Sequence, residues 1–278
     1  MKLDRRTFAG TLLLGAGGAI AGFPGVGAAA PAARRLRATV VADGATGRMI
    51  HRSGLAATRF TPCSTFKIPL ALMGFDSGIL QDAHHAAWDY DPARHRASRD
   101  VERQRTDPAS WETNSVVWYS REITARLGMP RFQAYVDRFG YGNRDLSGNP
   151  GKRDGLSEAW LGTSLAISPD EQVAFLRRML AHRLVSASAH AKAESVIPVF
   201  EGSGGWTVHG KTGSGRLKDA TGRVNQGPLL GWFVGWADKG ARRVVFARFG
   251  AGEGMPLDGA GGKALRDALL AEIGKLAG

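Results

Sequence analysis

With 278 residues, 43% hydrophobic and 22% charged content, the chain can bury one large core or two subdomains sharing a cleft, and its composition is not that of a disordered protein. The formal net charge of +12 would attract anionic small molecules or anionic envelope polymers, but no basic run is interleaved with stacking aromatics, so nucleic-acid binding is unsupported. A single cysteine, Cys63, rules out an intramolecular disulfide.

At the N-terminus, Arg5-Arg6-Thr7-Phe8 precedes an apolar, Ala- and Gly-rich run over 9–23 that leads to Ala28-Ala29-Ala30. This reads as an export signal over residues 1–30, twin-arginine-like, leaving residues 31–278 as a single domain in an exported, periplasmic protein. The run is shorter than the ~20 residues a spanning helix needs, which predicts no stable membrane insertion once the signal is removed.

Residues 36–42 read as a strand, Asp43-Gly44 and Thr46-Gly47 as a turn, and 48–51 as the returning strand of a hairpin. Pro62 introduces a helix that opens at Ser64 and ends near Gly78. The polar stretch 81–111 has no clear period and reads as a long surface loop. Helical patterns follow over 116–127 and 130–139, and Ser168-Pro169-Asp170-Glu171 carries the N-cap, N1 proline and first-turn acids of a helix start. Strands over 206–211, 229–237 and 243–249 precede a last helix over about 263–275. This order predicts an α+β fold: one antiparallel sheet built from both ends of the chain, flanked by N- and C-terminal helices, with an all-α region inserted over about 78–200.

Three pieces carry chemistry: Ser64-Thr65-Phe66-Lys67, Ser115-Val116-Val117 and Lys211-Thr212-Gly213. Ser64 and Lys67 lie three apart, on one helix face, where an amine can reach a hydroxyl. Alone, this spacing often marks a solvated helix face. Here Phe66, Ile68, Leu70 and Leu72 surround the lysine, predicting a buried amine whose pKa is depressed enough to take a proton from Ser64. Lys211 and Thr212 are expected to face a cleft from a strand, with Gly213 allowing close approach. Asn114 or Ser115 could equally cap a helix. Cys63 offers an alternative nucleophile but reads as a small buried filler. His84-His85 and His95 lack zinc-ligand spacing, and His209, on the strand face of Lys211, reads as an ordinary packed residue.

Together with Tyr141-Gly142-Asn143, Trp160-Leu161-Gly162 and Arg266, these motifs span nearly the whole chain after the signal, which resembles a class D, oxacillinase-type serine β-lactamase of the penicillin-recognising serine enzymes. The resemblance implies hydrolysis of the β-lactam amide of antibiotics through an acyl-enzyme on Ser64. It implies an oxyanion hole from the N–H groups of Ser64 and Ser214, and a proton relay through Ser115. Lys67 would be carbamylated (N6-carboxylysine) and act as general base in acylation and deacylation, with Phe66 and Val117 as apolar wall and Trp160 donating its indole N–H. Lys211, Thr212, Gly213 and Ser214 would bind substrate, and Arg266 its carboxylate. Tyr141-Gly142-Asn143 would shape the cleft floor.

No bound cofactor and no metal is implied, only carbon dioxide or bicarbonate, and the partners would be small β-lactams. Two other readings share the nucleophile and the Lys-Thr-Gly strand: a cell-wall D,D-peptidase or transpeptidase, and a β-lactam sensor domain that stays acylated. Val117 and Trp160 favour the hydrolase. The choice among β-lactams rests with the loops around Trp111 and after Gly215.

Overall fold

A computed structural model describes residues 35–278. The export signal expected over 1–30 lies outside the described residues. The chain opens with strands β1 (Leu36–Asp43) and β2 (Met49–Gly54), a hairpin whose turn is closed by Asp43, the acceptor of Thr46 N–H and Oγ1–H at 2.7 and 2.8 Å. Helices α1 (Lys67–Asp76), α2 (Pro108–Asn114), α3 (Val117–Phe139), α4 (Gly155–Glu158), α5 (Pro169–Leu180) and α6 (Ala187–Val196) follow. Strands β3 (Val199–Gly202), β4 (Trp206–Arg216), β5 (Leu229–Lys239) and β6 (Arg242–Ala251) and helix α7 (Gly261–Leu276) complete it.

The six strands form one antiparallel sheet in the order β2-β1-β6-β5-β4-β3, so the first hairpin joins the C-terminal strands through β1 and β6. Period-two alternation splits the core across this sheet. On β5, Phe233 and Ala237 face α7 with Val208, Phe246, Leu269 and Ile273, whereas Trp232, Val234 and Trp236 face the helical side. That helical side holds the larger core, with Leu70, Leu72, Tyr119, Phe139 and Phe175 buried in it.

Local chemistry sets the boundaries. Ser168 accepts from Glu171 N–H while the Glu171 carboxylate accepts from Ser168 N–H, the reciprocal capping box expected for α5. The helical run α3 is broken at Gly128 (φ +70°, ψ 158°), two residues before Pro130, so the two expected helices are two segments of one bent run. The reading of 81–111 as loop is corrected at its end, where Asp107 and Ser110 form a capping box and Pro108 sits at N1 of α2. A short 3-10 turn also covers Asp100–Glu102. Helix α6, capped by Ser186, and edge strand β3 were not foreseen. Among the described residues, no helix is long and apolar enough to cross a membrane.

Candidate active site

The serine motif begins as a 3-10 turn, Cys63–Phe66, that runs directly into α1. Cys63 is left-handed (φ +49°), and its N–H donates to Trp160 O at 3.0 Å. From the sheet, Trp232 Nε1–H donates to Thr61 O at 2.9 Å. Thr65 Oγ1–H donates to Pro62 O at 2.7 Å and accepts from Gln172 Nε2–H at 3.1 Å. Ser64, half-buried, thus sits on a turn fixed from the sheet, from α5 and from the 160 loop.

Strand β4 packs straight onto this turn. A Cβ on Gly213 would come within 3.0 Å of Pro62 O and 3.1 Å of Thr65 Cγ2, and one on Gly215 within 2.8 Å of Cys63 Sγ. The glycines therefore bring the strand backbone against the serine turn, the close approach expected of Lys-Thr-Gly. Burial pushes the Cys63 thiol up to about 12, which leaves it protonated and unsuited to attack.

Ser115 lies between α2 and α3 in a left-handed conformation (φ +57°, ψ +41°), its N–H returned to Trp111 O. The side-chain cap once open to Ser115 or Asn114 is absent: Val116 occupies the N-cap of α3 without a side-chain bond. The hydroxyl of Ser115 is instead the acceptor of Lys211 Nζ–H at 3.0 Å. A non-glycine residue at positive φ costs about 1–3 kcal/mol, and here the conformation aims the hydroxyl at a buried ammonium.

Lys67 is 1% exposed and its Nζ has no hydrogen-bond partner among the described residues. Its pKa is depressed, first by burial and then by the neighbouring charge of Lys211, with Glu112 and Glu102 opposing. Lys211, 2% exposed, is depressed for the same leading reason. Around the serine motif, Phe66 stacks on Trp160 (5.5 Å between centroids, 22°) and meets Phe132 and Tyr141 edge-on. Val117 is the half-buried first residue of α3.

Tyr141-Gly142-Asn143 holds the loop that carries Trp160. Asn143 Nδ2–H donates to Ser164 O, its Oδ1 accepts from Ala166 N–H, and Tyr141 touches Gln172. Gly142 (φ +56°) lies so close to Ala166 O that a Cβ there would fall 2.0 Å away.

On β4, Lys211 and Thr212 leave the strand on opposite faces. Lys211 turns to Ser115, while Thr212 and Ser214 turn to the start of α7, where Gly262 N–H donates to Ser214 Oγ at 2.9 Å. A Cβ on Gly262 would lie 2.5 Å from Gly213 O and 3.0 Å from Thr212 Cβ. Arg266 makes no hydrogen bond to these groups among the described residues, although its charge reaches Lys211. It lies over the Phe200 ring at 4.9 Å and pairs with Asp267, one turn beyond Lys263, which follows Gly262 directly. Sequence reasoning passed over Glu112, which is wholly buried with both carboxylate oxygens unpartnered among the described residues. A lone acid between Trp111 and Thr113 gave no signal for it. His84, His85 and His95 pair with three different carboxylates, Asp107, Asp82 and Glu122.

Residues 37–274 match the penicillin binding protein transpeptidase domain family. The chain is 47% identical over 244 residues to β-lactamase OXA-9 of Klebsiella pneumoniae, covering 87% of this chain and 89% of that one. The chain belongs to the class D serine β-lactamases. It superposes on the crystal structure of the class D β-lactamase OXA-427 with TM-score 0.80 and 41% identity, covering 87% of this chain and 98% of the other. The same β-lactamase fold also matches the C-terminal domain of the BlaR penicillin receptor of Bacillus licheniformis, at TM-score 0.69 and 25% identity over 84% of this chain and 89% of that one. Fold alone therefore does not separate a class D hydrolase from a receptor domain, and the distinction lies in the site.

Proposed function

We propose that this class D β-lactamase opens the amide of β-lactam antibiotics by attack of Ser64, and that Lys67, carbamylated by carbon dioxide, is the base that both activates Ser64 and drives its deacylation. One observation carries the reading: a fully buried lysine amine, free of any hydrogen-bond partner among the described residues, one helical step from the serine. Burial favours the neutral amine, the form that can react with carbon dioxide, and the Phe66–Trp160 stack supplies an apolar wall. The carbamate, when present, would supply an anionic proton acceptor where a lysine ammonium has none.

The chain's own groups divide the remaining work. Ser64 N–H and Ser214 N–H would receive the oxyanion, the strand lying against the serine turn through Gly213. Ser115, polarised by Lys211, would pass a proton to the leaving nitrogen. Trp160 and Val117 would line the base. Thr212, Gly213, Ser214 and Arg266 would hold the substrate and its carboxylate, with Lys211 beside them. Residues 1–30 would export the protein, and no further partner is needed.

The test is hydrolysis of a chromogenic cephalosporin and of a penicillin by the mature protein, with mass detection of the acyl adduct on Ser64. Many turnovers in the native protein and neither adduct nor turnover in Ser64→Ala are expected. Stoichiometric acylation without turnover would instead favour a receptor or peptidase.

A further inference from the structure

Among the described residues, the buried charged side chains with polar atoms lacking any hydrogen-bond partner are Lys67 and Glu112. Glu112 lies on α2, three residues before Ser115, with no exposed surface. Its charged neighbours are Lys211 and Lys67. The charges of Lys211, Glu112, Glu102 and Arg99 act on Lys67, and those of Glu112, Arg99 and Arg266 act on Lys211. Arg99 and Glu102 neutralise one another in an ion pair at 2.6 Å, and Lys211 is engaged with Ser115. Glu112 and Lys67 are left as a buried acid and a buried amine with only each other's charge, and that of Lys211, to answer.

A buried anion is tolerated beside cations and resists a second anion beside it. Turning Lys67 from a cation or neutral amine into a carbamate reverses the charge that Glu112 faces. We propose that Lys67 and Glu112 share one proton, and that when Lys67 is carbamylated this proton stays in the pocket on the Glu112 carboxylate. Glu112 is thus a proton-holding residue for the modification rather than a group that touches the substrate. The inference rests on the carbamate reading above.

The step balances. With bicarbonate as the carbon source, the Lys67 nitrogen bonds to its carbon and the bicarbonate hydroxyl leaves. An ammonium Lys67 gives up two protons: one joins that hydroxyl as water, and the other goes to Glu112. No oxidant or reductant takes part. Protonated Glu112 is neutral, so the pocket does not hold two anions. Burial, opposed by Lys211 and Lys67, raises the Glu112 carboxyl well above the ordinary carboxylate range, in keeping with an acid that holds a proton near neutrality.

The test adds 13C-bicarbonate to the wild type and to Glu112→Gln, following the carbamate carbon by NMR and the buried acid by infrared difference spectra. Lys67→Ala, which should lack the carbamate signal, assigns it. On the alkaline side of neutrality, where both groups have lost the shared proton, carbamylation of the wild type should take one proton up. Its apparent bicarbonate affinity should then fall with rising pH, approaching about tenfold per pH unit. Bicarbonate should also bring up a protonated-carboxylic-acid band in the wild type. In Glu112→Gln the band should be missing and the affinity flat. Should that variant not fold, the wild-type band and pH response decide alone. A carbamate signal without the acid band, its formation no weaker at alkaline pH, overturns this inference while leaving the carbamate intact. No carbamate signal in the wild type removes both.

Discussion

Lys211 Nζ–H donates to Ser115 Oγ at 3.0 Å, tying strand β4 to the left-handed residue between two helices of the inserted region. This bond joins the two halves of the fold across the cleft. Replacing Ser115 by Ala should lower kcat by about 10² or more through loss of proton transfer, and leave Lys211 buried without its acceptor. Pre-steady-state kinetics of acylation would measure it.

Replacing Lys67 by Ala removes the base from both half-reactions. Acylation should slow by a factor on the order of 10²–10⁴, and the acyl-enzyme that does form should persist. The mass spectrum of the quenched protein reports the adduct, and its decay rate reports deacylation. An unchanged decay rate would contradict a role for Lys67 in the second step.

Activity should fall reversibly as pH is lowered through the depressed pKa of Lys67, because the ammonium can neither accept a proton nor react with carbon dioxide. Added bicarbonate should offset part of the loss. The same burial makes a stability statement: between the depressed folded value and the ordinary lysine value the unfolded chain binds more protons, so the contribution of Lys67 and Lys211 to stability grows as pH rises through that window. Kinetics and thermal melts over pH would test the two together.

Gly142→Ala should unsettle the Trp160 loop. The substitution meets both a left-handed backbone and Ala166 O, 2.0 Å from the new Cβ. A cost of about 2 kcal/mol is expected, lowering Tm by roughly 4–8 °C. Calorimetry would show it.

At the start of α7 the cationic anchor can be apportioned. Asp267 pairs with both Lys263 and Arg266, but Lys263 is the more exposed of the two, whereas Arg266 lies one turn from Gly262 on the face that packs against Gly213 and Ser214, and its charge reaches Lys211. Arg266→Ala should therefore raise KM for a carboxylate-bearing β-lactam more than Lys263→Ala does, with kcat less affected in either. The reverse order would move the main role to Lys263.

Much of this was legible in the sequence because the signals were local. The Ser168 capping box and the Asp43 turn are decided by neighbours a few residues apart, and the alternating strands 206–211, 229–237 and 243–249 name their faces. Helix α2 was missed although Asp107-Pro108-Ala109-Ser110 carries its cap, because the polar stretch before it masked a seven-residue helix. Edge strand β3 has four residues and gains its pairing only from β4, so nothing local announced it. At the site, residue types, spacing and the resemblance pointed to Ser64, Lys67, Ser115 and Lys211 as candidates, while the left-handed turn at Ser115, the opposite facing of Lys211 and Thr212, and the burial of Glu112 follow from tertiary packing.

The central claim, a serine hydrolase whose buried lysine works as a carbamate, is met most directly by the decay of acyl-Ser64 followed by mass spectrometry after a single turnover, with bicarbonate depleted and then restored. The account predicts slow decay in the depleted protein and recovery of rapid decay on bicarbonate addition. Equal decay rates in both conditions would contradict it.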